Sequence, residues 1–248
     1  ADIFDPGKLL KLPGPLAVGH NRYSTAGKSE LLNAQPCMIN YAAGSLALAH
    51  NGNLVNIEEL VSSAGMFPGT ATSDSDLMAE LLASELRSQS ILSSTEPLET
   101  AIQKVLPRLE GAFSIVLADH NRIIGARDPN GFRPLCLGRL DGGWVLASET
   151  PALDVVGAHM VRELDPGEFV LIDDTGCRSI YPFDDSVIDP RLCLFEFVYF
   201  ARPDSILYGQ IVHQARVRMG EALAAQAPVE ADLVMGVPES GIPSAEGV

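Results

Sequence analysis

The sequence predicts an α+β protein in which stacked sheets are flanked by helices, and three observations predict it. Apolar residues recur at helical spacing between residues 56 and 109. From Gly111 onward the period changes to short apolar runs cut by turns bearing Asp, Asn and Gly. The chain has 248 residues, 46% of them hydrophobic and 20% charged, ample apolar material for one large domain or two modest ones.

Residues 1–15 form a polar approach punctuated by Pro and Gly, with a short helical hint at Lys8–Lys11. Leu16-Ala17-Val18-Gly19-His20 reads as a strand, left by a loop through Asn21-Arg22-Tyr23-Ser24-Thr25-Ala26-Gly27. A polar connector from Lys28 to Pro36 leads towards Leu46–Ala49, a short buried strand that His50-Asn51-Gly52-Asn53 breaks. Asn56 is placed as an N-cap, with Ile57, Leu60 and Val61 at helical spacing behind it. After a loop from Gly65 to Thr72, Ser73-Asp74-Ser75-Asp76 opens a stronger helix carrying Leu77, Met78, Leu81, Leu82 and Leu86 on one face. A further helix, Leu98 to Leu109, is weakened in its last turn by Pro107.

The strand series then runs through Ala112–Ala118, Arg122–Ala126, Leu135–Leu137, Trp144–Ala147, Met160–Leu164 and Glu168–Ile172. Its first member is apolar nearly throughout, as expected of a strand covered on both faces. Residues 182–191 are polar and bounded by prolines, the composition of a domain boundary. Beyond them come an aromatic run, Phe195–Phe200, a helix over Ile211–Ala225 and a buried strand, Leu233–Val237.

Composition narrows the function classes. A net charge of −15 argues against nucleic acid or an anionic membrane surface as the main partner. No segment approaches the roughly 18 unbroken apolar residues of a membrane span, and no signal-peptide pattern opens the chain. Cys37, Cys136, Cys177 and Cys193 are far apart and form no CxxC pair, the usage of a reduced, cytoplasmic protein. The opening at Ala1 and the stop at Ala245-Glu246-Gly247-Val248, where a strand and loop hand over, read as those of a fragment.

Asn-Gly after a strand is ordinarily a tight turn, since both residues tolerate positive φ. The same pair can instead aim two donors, the Asn51 side-chain NH2 and the Gly52 backbone N–H, at one oxygen, as an oxyanion hole requires. Arg22 alone is a surface arginine, or else a planar fork suited to a substrate carboxylate. Asp74 alone is a helix-start acid favoured by capping and the dipole, or else a carboxylate for a substrate ammonium. Together with the Thr25 hydroxyl these groups describe a glutamine site.

HNRYSTAG, LAHNGNLVN, TSDSD and RDPNGFRPL closely resemble the glutaminase domain of the amidophosphoribosyltransferase family, and FEFVYFARPDS with VMGVPESGIPSA resembles the start of its phosphoribosyltransferase domain. The resemblance covers essentially the whole chain. It implies an N-terminal-nucleophile hydrolase fold, a four-layer αββα sandwich over residues 1–188, followed by the beginning of an α/β phosphoribosyltransferase domain over 189–248. It further implies that Arg22 and Asp74 bind the glutamine carboxylate and ammonium, that Asn51 and Gly52 form the oxyanion hole, and that Tyr23 and Thr25 line the pocket. Asp76 departs from the glutamate usual after SDS. The implied substrates are glutamine and phosphoribosylpyrophosphate, in a homo-oligomer.

The implied nucleophile is the thiol of a cysteine at the mature N-terminus, with its own α-amine as base; here the first residues are Ala1-Asp2-Ile3, and no internal cysteine is a good substitute. The implied Mg2+ belongs to the second domain beyond Val248. Cys193 matches a position that ligates a 4Fe-4S cluster in some members, where further cysteines are needed; otherwise it is a buried structural thiol. Val170-Leu171-Ile172-Asp173-Asp174-Thr175-Gly176 imitates a phosphoribosylpyrophosphate motif, but a strand pattern follows it, so it reads as a hairpin turn. Two alternatives remain: another class II amidotransferase, of the sugar-phosphate aminotransferase type, and a non-catalytic protein that binds glutamine or a nucleotide.

Overall fold

The computed structural model describes residues 5–21, 33–41, 44–67, 71–88 and 97–248. The helices are α1 (Pro6–Leu9), α2 (Ile57–Ser63), α3 (Asp74–Ser88), α4 (Pro97–Val105), α5 (Thr150–Val156), α6 (Val212–Gln226) and α7 (Ile242–Gly247). The first strands are β1 (Cys37–Tyr41), β2 (Gly44–Leu54), β3 (Gly111–Ala118) and β4 (Ile123–Arg127). They are followed by β5 (Cys136–Leu140), β6 (Gly143–Ala147), β7 (His159–Glu163), β8 (Phe169–Asp173) and β9 (Gly176–Ile180), with a two-residue hairpin pair, β10 (Ile206–Leu207) and β11 (Gln210–Ile211). The mixture is the α+β class expected.

Contacts gather the chain into two compact units: residues 1–111 with 115–125 and 170–180, and residues 112–114 with 126–169 and 181–248. The first holds most of a six-stranded sheet in the order β1-β2-β3-β4-β8-β9. β1 and β2 pair antiparallel, Cys37 opposite Leu48 and Ile39 opposite Leu46. Helix α3 lies on β1 and β2 and also packs on α4. Its expected face is the observed one, since Leu77, Met78, Leu81, Leu82 and Leu86 are all buried with Leu46 and Leu48 of β2. Each such leucine contributes roughly 1.5–3 kcal/mol. As Pro107 foretells, α4 ends at Val105 and tightens into a 3-10 turn, Leu106–Arg108. The acidic pair Asp173-Asp174 is indeed a hairpin turn between β8 and β9, where Asp173 Oδ1 accepts from Thr175 N at 2.8 Å.

In the second unit β5 is central, with β6 and β7 antiparallel on either side. Cys136, Leu153 and Ala158 form a small core there. The RDPNGFRPL motif is structural in this setting. Arg127 is buried and donates to the carbonyls of Arg133, Leu164 and Gly131 and to the Tyr208 hydroxyl at 2.6–3.0 Å. Asp128, fully buried, accepts from the backbone N–H groups of Phe113, Asn130 and Phe132. The Pro-bounded stretch after Tyr181 is stitched to the same loop, with Asp189 N donating to Pro129 O and Arg191 N to Asn130 O. The aromatic run forms a π-helical turn, Glu196–Phe200. Its Phe197 joins a core with Ala201, Leu207, Val212 and Ala215.

Three expectations need correction. Leu16–His20 alternates half-buried and exposed residues, yet it joins no ladder among the described residues and is not a strand. Leu233–Val237 is neither strand nor buried: Leu233 is 76% and Met235 83% exposed, because no described sheet receives it. His50–Asn53 does not break its strand, for β2 continues to Leu54 and takes in Gly52 at a positive φ of 155°.

Candidate active site

The site grows out of the far end of β2. A ladder through Leu54 keeps His50, Asn51 and Gly52 on a rigid strand, with Asn51 and Gly52 half-buried and His50 buried. After Leu54 the chain is fastened twice to the segment leading into β3. Val55 N donates to Glu110 O at 2.9 Å. Asn56, assigned from sequence to a cap, spends its side chain elsewhere: Nδ2 donates to Arg108 O at 2.9 Å and Oδ1 accepts from Glu110 N at 3.1 Å. No side-chain cap bond is made at α2.

Asp74 comes to this strand end from the start of α3. The cap of α3 is Ser73, whose Oγ accepts from Asp76 N at 3.2 Å, while Asp76 accepts in turn from Thr72 N at 3.0 Å. That arrangement is half of a capping box, with Asp76 reaching past the cap residue to the Thr72 N–H. Asp74 is therefore released from capping. Its Oδ1 accepts from Ser75 N at 2.9 Å, and its Oδ2 stands 3.4 Å from Leu54 N and 3.7 Å from His50 Nδ1. The last distance is an electrostatic contact rather than a hydrogen bond. Burial raises the Asp74 carboxyl, but the His50 ring and the N–H groups of Ser75 and Leu54 outweigh it and hold the group below its ordinary 3.8. The carboxylate is thus kept charged, the state an ammonium ligand needs.

The structure accordingly brings Asn51, Gly52 and Asp74 to one place, joined through His50 and Leu54. Arg22, Tyr23 and Thr25 lie outside the described residues. His50 and Ser75 were not singled out from sequence. Their signal was adjacency, His50 preceding Asn51 and Ser75 following Asp74, but only tertiary structure sets them 3.3 Å apart through His50 Nδ1 and Ser75 Oγ.

Two internal thiols are poorly suited to nucleophilic attack. Cys37 is pushed up by burial and then by the Asp76 and Asp74 carboxylates. Cys136, donating to Ala147 O, is pushed up to about 12, mainly by burial. Cys193 is half-buried, and its carbonyl accepts from Glu196 N at 3.1 Å. Among the described residues there is no group of three or more His, Cys, Asp or Glu side chains that could hold a metal ion.

The glutamine amidotransferase domain family matches residues 20–155, which takes in every candidate glutamine-site residue. The amidophosphoribosyltransferase of Mycobacterium leprae is 48% identical over 100% of this chain and 44% of its own length. That of Synechococcus elongatus is 44% identical over 100% of this chain and 50% of its own. Among solved structures, the glutamine phosphoribosylpyrophosphate amidotransferase of B. subtilis, complexed with ADP and GMP, superposes with a TM-score of 0.81. It is 39% identical, over 92% of this chain and 48% of that one. The chain spans about half the length of the curated relatives it matches. With more than half its residues matched by that family and its α+β fold shared with a solved member of the amidophosphoribosyltransferases, the chain belongs to the glutamine amidotransferase domain family.

Proposed function

We propose that the chain is part of an amidophosphoribosyltransferase, with residues 1–188 in the glutamine-hydrolysing domain and 189–248 beginning the phosphoribosyltransferase domain. The observation that carries this reading is that similarity to such enzymes runs the length of the chain, well past the amidotransferase match. In the whole protein a thiol, that of a cysteine at the mature N-terminus, attacks the glutamine amide carbon. The carbonyl oxygen becomes an oxyanion, held by the Asn51 side-chain NH2 and the Gly52 N–H; its collapse expels ammonia, which takes the proton the α-amine removed from the thiol, and water then hydrolyses the thioester to glutamate. Asp74 holds the α-ammonium and Arg22 the α-carboxylate. Tyr23 and Thr25 line the pocket. The ammonia then displaces pyrophosphate from phosphoribosylpyrophosphate to give phosphoribosylamine, in the first step of purine synthesis.

The whole enzyme is proposed as a cytoplasmic homo-oligomer. Consistent with that, no disulfide joins the four cysteines, and no helix among the described residues is long and apolar enough to cross a membrane. Mg2+ would act in the second domain, on residues beyond this chain, and Cys193 would be one ligand of any cluster. The test is pyrophosphate release by the whole protein from phosphoribosylpyrophosphate and glutamine. Release that needs both substrates is expected, whereas none, or amination of a sugar phosphate instead, overturns the proposal.

A further inference from the structure

We infer that His50 is a positioning residue for substrate recognition: its ring fixes the Asp74 carboxylate where the α-ammonium of glutamine docks. The inference rests on the reading of Asp74 as the ammonium-binding group. His50 is 4% exposed and sits on β2 immediately before the two oxyanion donors. Through Nδ1 it reaches both Ser75 Oγ at 3.3 Å and Asp74 Oδ2 at 3.7 Å. Nε2 makes no hydrogen bond among the described residues, so the ring directs its polar contacts to the α3 start alone. Asp74 is otherwise restrained by Ser75, one residue away, through its N–H at 2.9 Å and its hydroxyl at 3.5 Å, and by a long contact from Leu54 N. Those contacts are local or long, so a rigid, buried group beside the carboxylate is what fixes its orientation towards the strand end. The imidazole is that group. It also ties the carboxylate's position to the oxyanion donors, because all three residues, His50, Asn51 and Gly52, share one run of strand. Polar contacts in a ligand-free site are commonly long and tighten when substrate arrives.

The ligand pair that isolates this role is L-glutamine and glutaramate, the same amide and carboxylate without the α-amine. The variant pair is His50→Asn, whose amide nitrogen falls near Nδ1, and His50→Gln, whose amide falls near Nε2. Both keep a buried polar side chain, and thermal melts confirm folding. Calorimetric or NMR titration of the protein should show that His50→Gln weakens glutamine about tenfold, the loss expected if the 3.7 Å contact tightens to a hydrogen bond on the charged carboxylate when substrate docks, and leaves glutaramate unchanged. His50→Asn should retain most of the glutamine affinity. Equal loss of both ligands in His50→Gln, or no loss of either, overturns the inference. Asp74→Asn runs alongside. If that variant still prefers glutamine to glutaramate as the parent does, it is the ammonium reading of Asp74 that has failed, not the role of His50 alone.

Discussion

Gly111 faces the backbone of Asn53 so closely that a Cβ on Gly111 would stand 2.4 Å from Asn53 O and 3.0 Å from Leu54 Cα. Its φ of 128° is also one that L side chains rarely adopt. Gly111→Ala therefore meets two costs at once, strain of about 1–3 kcal/mol and a backbone collision that only movement of β2 relieves. That movement falls beside Asn51 and Gly52. The expected result is a lower urea midpoint together with a loss of glutamine turnover larger than the stability change explains. A variant with parental stability and turnover would show that β2 tolerates the shift.

The start of α3 separates capping from recognition. Ser73→Ala removes the side chain that accepts from Asp76 N and should cost about 1 kcal/mol in chemical denaturation. Asp74→Asn leaves that cap intact. The Asp74 carboxyl is held below its ordinary value in the folded state, so the stability it contributes is fully present above about 3.8 and is lost as pH falls through the depressed value. Melts at neutral pH and at progressively lower pH should show the parent's advantage over Asp74→Asn shrinking on acidification. An advantage that grows towards acid would contradict a depressed carboxyl.

Asp128 carries the opposite sign. Burial pushes its carboxyl up, against the lowering effect of the N–H groups of Phe113, Phe132 and Asn130 and of the Arg127 charge. A folded pKa above the unfolded one means that stability is greatest below the unfolded value and declines as pH rises through the folded one. Asp128→Asn abolishes that decline. It also turns an NH2 towards one set of donors, since both carboxylate oxygens accept backbone bonds, and an unsatisfied buried N–H costs about 1–3 kcal/mol. Denaturation curves across acid to neutral pH should be flatter for Asp128→Asn and lower throughout. A parent curve that rises steadily with pH would assign the linkage to other groups.

The periodic parts of the chain were legible. The buried face of α3 and the strand series follow from spacing alone, because each residue's burial there is set by its own element. Leu16–His20 and Leu233–Val237 were misread for the converse reason. Apolar content permits a strand, but a ladder partner makes one, and partners are not written locally. At Asn51-Gly52 the local turn chemistry pointed one way and the sheet another, and the sheet prevailed. Asp74 was found as a carboxylate at a helix start. What holds it, Leu54 N–H and His50 across twenty or more residues of chain, has no signature in spacing.

The 248-residue polypeptide by itself should release no ammonia from glutamine, and alkylating its thiols should change nothing in that assay. With a pKa pushed up to about 12, Cys136 is a thiolate in only about one molecule in 10⁴ at pH 8. Cys37 is raised as well, by burial and by two carboxylates that repel a thiolate. Loss of a nucleophile typically removes about 10⁶ in turnover. Glutamate formation that iodoacetamide abolishes would show an internal cysteine to be the nucleophile.

The oxyanion assignment makes the sharpest kinetic claim, and it is tested in the whole protein. Asn51 stands on β2 between the buried His50 and Gly52, on a strand held to the β3 entry by Val55 and Asn56. Donors on so rigid a support act on charge that develops only in the transition state, so removing one should lower kcat while the substrate's own binding is spared. Asn51→Ala should accordingly reduce glutaminase kcat by about 10²–10³ with little change in KM. Asn51→Asp is similar in size but replaces the donor with an acceptor carrying negative charge, so it should fall at least as far. Thermal melts on both variants distinguish this from collapse of the strand end. A rise in KM at unchanged kcat would instead make Asn51 a ground-state anchor for the amide, and equal stability and kinetics would return Asn51 to a strand residue with no part in the chemistry.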